Sequence, residues 1–178
     1  SWVCLCANKI QFEEDKKTIF KVENDISNEI KGLIKQQKTI FQSYNKGYIT
    51  KKQIPRLLVV LDDCLNEPMF DSNRSFLSKF AIMSRHYLIS FIVMSQRAKG
   101  VPRVFRINSA YMFLYTTLNY SELEAILEEY IPKKFKKQFL DKCLQVYSVK
   151  YNHLFINNRN QNIHERIYLN GTDLIEFE

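Results

Sequence analysis

At 178 residues, with 46% hydrophobic and 13% aromatic content, the chain is long and apolar enough to bury a real core, which excludes a disordered tail. No apolar run reaches the length of a membrane span and no stretch has the form of a signal peptide, so no membrane partner is expected. A formal net charge of +7 permits a polyanionic partner such as nucleic acid without requiring one.

The chain opens with a short apolar run, residues 3–7 (VCLCA), expected to be a buried strand. From Phe20 to Tyr44 the apolar residues recur at spacings of three and four (Ile26, Ile30, Leu33, Ile34, Phe41, Tyr44), with Ile19 and Val22 continuing the series upstream. That periodicity predicts one amphipathic helix, with Lys, Glu, Asn and Gln on its wet face. A basic turn region over Asn45–Pro55 follows.

Leu57 to Asp63 reads LLVVLDD, an apolar, partly β-branched run without alternation that ends in two aspartates. Such a run predicts a strand buried on both faces of a parallel sheet, with both acids pushed to its C-terminal end. Ligands bind at that edge of open α/β sheets, and a hard cation such as Mg2+ takes carboxylate, phosphate and water oxygens there. The plainer reading is that the pair caps the strand and starts a loop. After Pro68, Asp71 or Ser72 is placed to cap a helix running to about Arg85, and Tyr87–Met94 (YLISFIVM) reads as a second buried strand. Strand, helix, strand over this distance is a βαβ unit, so Asp62, Asp63 and Gln96 are expected on one sheet edge.

A basic stretch (Arg97, Lys99, Arg103, Arg106) leads to a third apolar strand, residues 110–115, in which Tyr111, Phe113 and Tyr115 share a face expected to be core. Ser121 with Glu124 has the spacing of a capping box at the start of the next helix. Over Lys133–Val146 a further helix is predicted, with Phe135, Phe139, Leu140, Cys143 and Leu144 facing in and its lysines outside, wetting the surface or meeting DNA. The tail predicts a hairpin: a strand at His153–Ile156, a polar turn, and a strand at Ile163–Leu169. Neither the four cysteines nor the three histidines have the spacing of a zinc site, and no Ser-His-Asp or Cys-His arrangement stands out.

The acid-ended strand, the Arg85-His86 pair, the strand ending in Ser95-Gln96 and the following VPRVFRINSAYMFLY together resemble the DNA-packaging ATPases of poxviruses and other large DNA viruses. These belong to the FtsK/HerA superfamily of P-loop ATPases, and the resemblance covers roughly Leu57 to Tyr130. It implies an α/β, mostly parallel RecA/FtsK-like core sheet flanked by helices, with the C-terminal β-hairpin (residues 150–178) as an extension of one domain spanning residues 1–178. It also implies ATP and Mg2+ as cofactors, double-stranded DNA and capsid components as partners, a homo-oligomeric ring, and residence in the virion or host cytoplasm. In that family pattern Asp62 holds Mg2+, Asp63 orients or deprotonates the attacking water, and Ser95 and Gln96 lie against the nucleotide, Gln96 as the γ-phosphate sensor. Arg85, Arg103 and Arg106 are the candidates for an arginine completing a neighbour's site, with Arg106 the most attractive; the plainer reading of each is a surface salt bridge.

The sequence departs from the family in two places. Asp63 stands where glutamate is frequent, and a shorter acid reaches less far. The phosphate-cradling G-x-x-x-x-G-K-[ST] loop is absent, since Lys38-Thr39 lies in a helix without the glycines. The chain does not begin with Met and is expected to start just after that loop, so these residues alone are expected to hydrolyse ATP barely or not at all. Two other readings remain open: an Mg2+-dependent nuclease using Asp62 and Asp63 with Glu67 or Asp71, and a catalytically silent DNA-binding or assembly domain.

Overall fold

The computed structural model describes residues 2–5, 18–21, 26–62, 76–115 and 120–176. They form two compact units, Ser1–Val104 and Phe105–Glu178.

In the first unit, β1 (Trp2–Leu5) pairs in parallel with β2 (Thr18–Lys21). β3 (Leu57–Asp62) pairs in parallel with β4 (Ile89–Met94), and β1 lies beside β3. The expected helix from Phe20 is therefore corrected. Thr18-Ile19-Phe20 is a β-branched and aromatic run that suits a strand, and Ile19 matches helical spacing only by coincidence; Val22 lies outside the described residues. The helix α1 occupies Ile26–Asn45. Its buried stripe is Ile30, Ile34 and Gln37, at i, i+4 and i+7. Gln37, 1% exposed, is not on the wet face: its amide donates to the carbonyls of Pro55 (2.7 Å) and Tyr87 (2.8 Å), which lie just ahead of β3 and β4. α1 stops at Gly47, which takes φ +77°. There Gly47 N–H donates to Tyr44 and Tyr48 N–H to Ser43, the paired bonds of a Schellman stop.

Burial along β3 alternates. Leu57, Val59 and Leu61 are buried, whereas Leu58, Val60 and Asp62 are half-buried, so the strand is sealed on one face rather than two. β4 departs further from expectation. Ile89 is buried, but Ser90, Ile92 and Met94, alternate residues on one face, are exposed, so no described element covers that face. The helix α2 (Phe76–Met83) lies against β4 through Phe80, which meets Phe91 edge-on at 4.9 Å. The caps expected at Asp71 or Ser72 lie outside the described residues.

The division between units falls within α3 (Arg103–Asn108). The second unit carries β5 (Tyr111–Tyr115), α4 (Tyr120–Leu127), α5 (Lys136–Tyr147), β6 (His153–Asn157), β7 (Ile167–Leu169) and β8 (Asp173–Leu174). The four strands form an antiparallel sheet in the order β5-β6-β7-β8. The expected hairpin is β6–β7, with Leu154 opposite Leu169. Its second strand begins at Ile167 rather than Ile163, because a 3-10 turn spans Ile163–Glu165 and is tied by Asn162 accepting from His164 N–H. Among the described residues, parallel pairing is thus confined to β1–β4.

Leu114, Leu154, Ile156 and Ile167 from the sheet, Leu123, Ile126 and Leu127 from α4, and Phe139, Leu140 and Cys143 from α5 are all buried. Leu144 is half exposed, and Val146 supplies the buried position expected of it. Ser121 lies inside the first turn of α4, so it is not the cap, and Glu124 pairs with Lys136 at 2.8 Å. The expectation that Tyr111, Phe113 and Tyr115 are core is also overturned: they are 48, 55 and 59% exposed. Apolar residues stand on both faces of β5, and its inner face already holds Leu114. The outer rings pack on the neighbouring strand instead, Tyr111 stacked on Phe155 (5.8 Å) and Phe113 tilted against Phe155 (5.0 Å).

Candidate nucleotide edge

The pairing of β3 with β4 runs in register from Leu57 opposite Ile89 to Asp62 opposite Met94. Parallel strands end on the same edge, so the carboxylate of Asp62 and the residues after Met94 share it. Asp62, Ser95 and Gln96 are thereby brought together on the strand-end edge where α/β sheets bind ligands. Asp63 lies outside the described residues. Asp62 is half-buried and Gln96 is exposed. Ser95 shapes the exit from β4: its hydroxyl accepts from Arg97 N–H and faces the Arg97 carbonyl, each at 3.0 Å. That closes a tight serine turn and sets the direction in which Gln96 leaves the strand.

The arginines are distributed differently. Arg85 is exposed on the 3-10 turn Ser84–Tyr87, ahead of β4 and hence on the opposite sheet edge. A six-residue strand separates the two edges by about 20 Å, so Arg85 does not reach Asp62 of its own subunit. Arg103 is exposed at the start of α3. Arg106 is held in a bidentate ion pair: Nη2 donates to Glu129 Oε1 at 2.6 Å and Nε to Oε2 at 3.0 Å. Both side chains are close to nine-tenths buried, at 11 and 10% exposure.

Spacing gave no indication of the Glu129 partner, which is 23 residues away. Gln37 was also missed, although its place three residues after Ile34 and seven after Ile30 puts it on the buried stripe. Elsewhere, hydrogen bonds from Glu124 and then Glu128 hold the Lys136 ammonium above the ordinary lysine range. Burial pushes the Cys143 thiol well above its usual range, and burial followed by Cys143 does the same to the Tyr147 phenol, whose OH donates to the Leu114 carbonyl at 3.0 Å.

No three His, Cys, Asp or Glu side chains gather into a metal site among the described residues. A single strand-end carboxylate suits Mg2+, which keeps several waters and takes its remaining oxygens from substrate phosphates. Asp62 fits that donor pattern. No described helix is long and apolar enough to cross a membrane.

The fold of the whole chain is similar to that of genome-packaging proteins from archaeal viruses. The genome packaging NTPase B204 from Sulfolobus turreted icosahedral virus 2, in complex with ATP-gammaS, superposes with a TM-score of 0.61 over 100% of this chain and 83% of its own, at 11% identity. B204, the DNA-packaging ATPase from Sulfolobus turreted icosahedral virus, gives 0.57 over 99% and 83%, at 12% identity. The AMP complex of the former gives 0.54 over 90% and 67%, at 11% identity. At such identities the likeness establishes the α/β fold alone. No curated protein matches the sequence. The profile of the poxvirus A32 protein family matches residues 17–170, which is most of the chain. The chain therefore belongs to the poxvirus A32 protein family, in keeping with the resemblance of its strand-end motifs to poxvirus packaging ATPases.

Proposed function

We propose that this chain forms part of an ATP-driven motor that translocates double-stranded DNA into a viral capsid. The observation that carries the reading is the β3–β4 register, which sets Asp62 level with Met94 and so beside the exit of Gln96. Membership of the poxvirus A32 protein family, and a fold shared with the packaging NTPase B204, support the same reading.

In this reading the core is of the RecA/FtsK type. Asp62 holds Mg2+, which when bound offsets the charge of the nucleotide phosphates. Asp63, the next residue along, orients the attacking water and accepts its proton. The Gln96 amide faces the γ-phosphate or that water, and Ser95 fixes the turn that aims it. Positioning and charge stabilisation of this kind supply most of the rate in phosphoryl transfer. The phosphates also need a backbone cradle, and no G-x-x-x-x-G-K-[ST] motif occurs among the 178 residues to supply it. The machine is a homo-oligomeric ring acting with capsid components at the virion or in the host cytoplasm, and an arginine enters each site from the neighbouring subunit. Arg85 and Arg103 are exposed for that role, whereas Arg106 has to leave Glu129 to perform it.

The test is ATP hydrolysis by the full-length protein, with and without duplex DNA, beside Asp63→Asn. Turnover stimulated by DNA and lowered at least about 100-fold in the variant is expected, the scale of a lost general base. Mg2+-dependent DNA cutting without ATP turnover would replace the motor with a nuclease. Neither activity would leave a silent DNA-binding or assembly domain.

A further inference from the structure

The positive charge of this chain is concentrated in one segment. Residues 30–61 contain seven Lys and Arg and no Asp or Glu, and the rest of the chain is balanced at nineteen of each. The whole formal charge of +7 thus resides between Ile30 and Leu61. Three of the cations, Lys31, Lys35 and Lys38, fall at i, i+4 and i+7 on the exposed face of α1. The other four, Lys46, Lys51, Lys52 and Arg56, are exposed on the connection from α1 to β3.

That connection is a built structure. The Schellman stop at Gly47 fixes how the chain leaves α1. The Gln53 side-chain oxygen then accepts from Thr50 N–H (2.7 Å) and from its hydroxyl (3.0 Å), closing the 3-10 turn that carries Lys51 and Lys52. Tyr48, 77% exposed, stands between Lys46 and Lys51. None of Lys35, Lys46, Lys51, Lys52 and Arg56 forms an ion pair among the described residues. Around α5 the lysines are mixed: Lys136 is held by Glu124 and Glu128, Lys142 donates to the Glu176 carbonyl, and Lys133, Lys134 and Lys137 are exposed, in a unit whose acids balance them. The unit that contains α5 carries nine basic and nine acidic residues.

We infer that the exposed face of α1 and the turn after it form the surface that grips the phosphate backbone of duplex DNA. Exposed ammonium and guanidinium groups run along about 10 Å of α1, from Lys31 to Lys38, and on through Lys46, Lys51, Lys52 and Arg56 in the turn, a row suited to the repeated phosphates of a duplex, and the set has no row of stacking aromatics. Contact there is therefore independent of base sequence and strongly salt-dependent. The surface begins at the edge where β3 starts, so DNA is held at the opposite end of the strand from Asp62. The choice of duplex DNA as the polyanion rests on the motor reading above.

The experiment is equilibrium binding of the full-length protein to a labelled random-sequence duplex, without nucleotide, over a range of NaCl concentrations. Wild type is compared with Lys46→Gln/Lys51→Gln/Lys52→Gln/Arg56→Gln and with Lys133→Gln/Lys134→Gln/Lys137→Gln, each checked for folding by circular dichroism. Each lost phosphate contact lowers the log–log salt slope by about 0.9. The first variant is expected to lose at least 2 units of slope and at least about tenfold in affinity at 100 mM salt, and the second to bind within about twofold of wild type. Wild-type binding by the first variant, or a loss confined to the second, overturns the assignment and leaves the motor reading standing. Absence of both duplex binding and DNA-stimulated turnover in wild type overturns both.

Discussion

If Arg106 and Glu129 form a structural pair, stability is the quantity that reports it. The guanidinium and carboxylate meet in two parallel hydrogen bonds, and each group is about nine-tenths buried. Arg106→Ala deprives the Glu129 carboxylate of both guanidinium hydrogen bonds in a mostly dry site, and Glu129→Gln deprives the guanidinium of its counter-charge. Breaking a buried pair from one side costs about 3–5 kcal/mol; with roughly a tenth of each group still solvated, about 2–4 kcal/mol is expected for either single change. Removing both partners strands no charge, so the double variant should recover about 1–3 kcal/mol of the summed loss. Urea denaturation of all four proteins measures the cycle, and DNA-stimulated ATP turnover is read beside it. An arginine acting on a neighbour's nucleotide would behave otherwise. Arg106→Lys would then cut turnover by about 1,000-fold or more, stability would barely move, and Glu129→Gln would remain active. Single-variant losses that add within about 0.5 kcal/mol would refute the structural pairing.

Two further outcomes concern the core. Gln37→Leu keeps the buried stripe apolar but strips the Pro55 and Tyr87 carbonyls of their shared donor; a loss of about 2–3 kcal/mol in urea unfolding is expected, and a loss under 0.5 kcal/mol would show that both carbonyls are otherwise served. Cys143 gives a pH signature. Its thiol is held above the ordinary range in the folded chain, so the unfolded chain releases that proton first. Its contribution is complete below about pH 8.5 and falls by about 1.4 kcal/mol per pH unit above it. Cys143→Ala should lie below wild type at pH 7 and approach it towards pH 10, and parallel stability curves would show that burial does not hold the proton.

The legible parts of the fold were those that local pattern determines. LLVVLDD and YLISFIVM announced two parallel strands, and once their order was read the placing of Asp62 and Gln96 on one sheet edge followed from the βαβ connection. Ile19 misled because a spacing of three to four also fits a strand followed by a helix, and the β-branched Thr18-Ile19 was the better guide. Tyr111, Phe113 and Tyr115 mislead because hydrophobicity alone does not report burial. A strand with apolar residues on both faces does not reveal which face the sheet covers, and large rings can pack on one another at a surface. The Arg106–Glu129 pair and the double bond of Gln37 were illegible for another reason: each joins segments distant in sequence, and only packing decides such partners.

The Gln37 amide has a consequence for the far end of the sheet. Its two hydrogens tether one point of α1 to the lead-in of each parallel strand, at nearly equal lengths of 2.7 and 2.8 Å. Sliding β4 along β3 by the two residues that preserve its faces would carry Gln96 about 7 Å past Asp62. No such slip can occur while both tethers hold, because the two carbonyls would no longer lie side by side. The alignment of acid and amide at one edge is thus indexed from the other edge by a single neutral side chain.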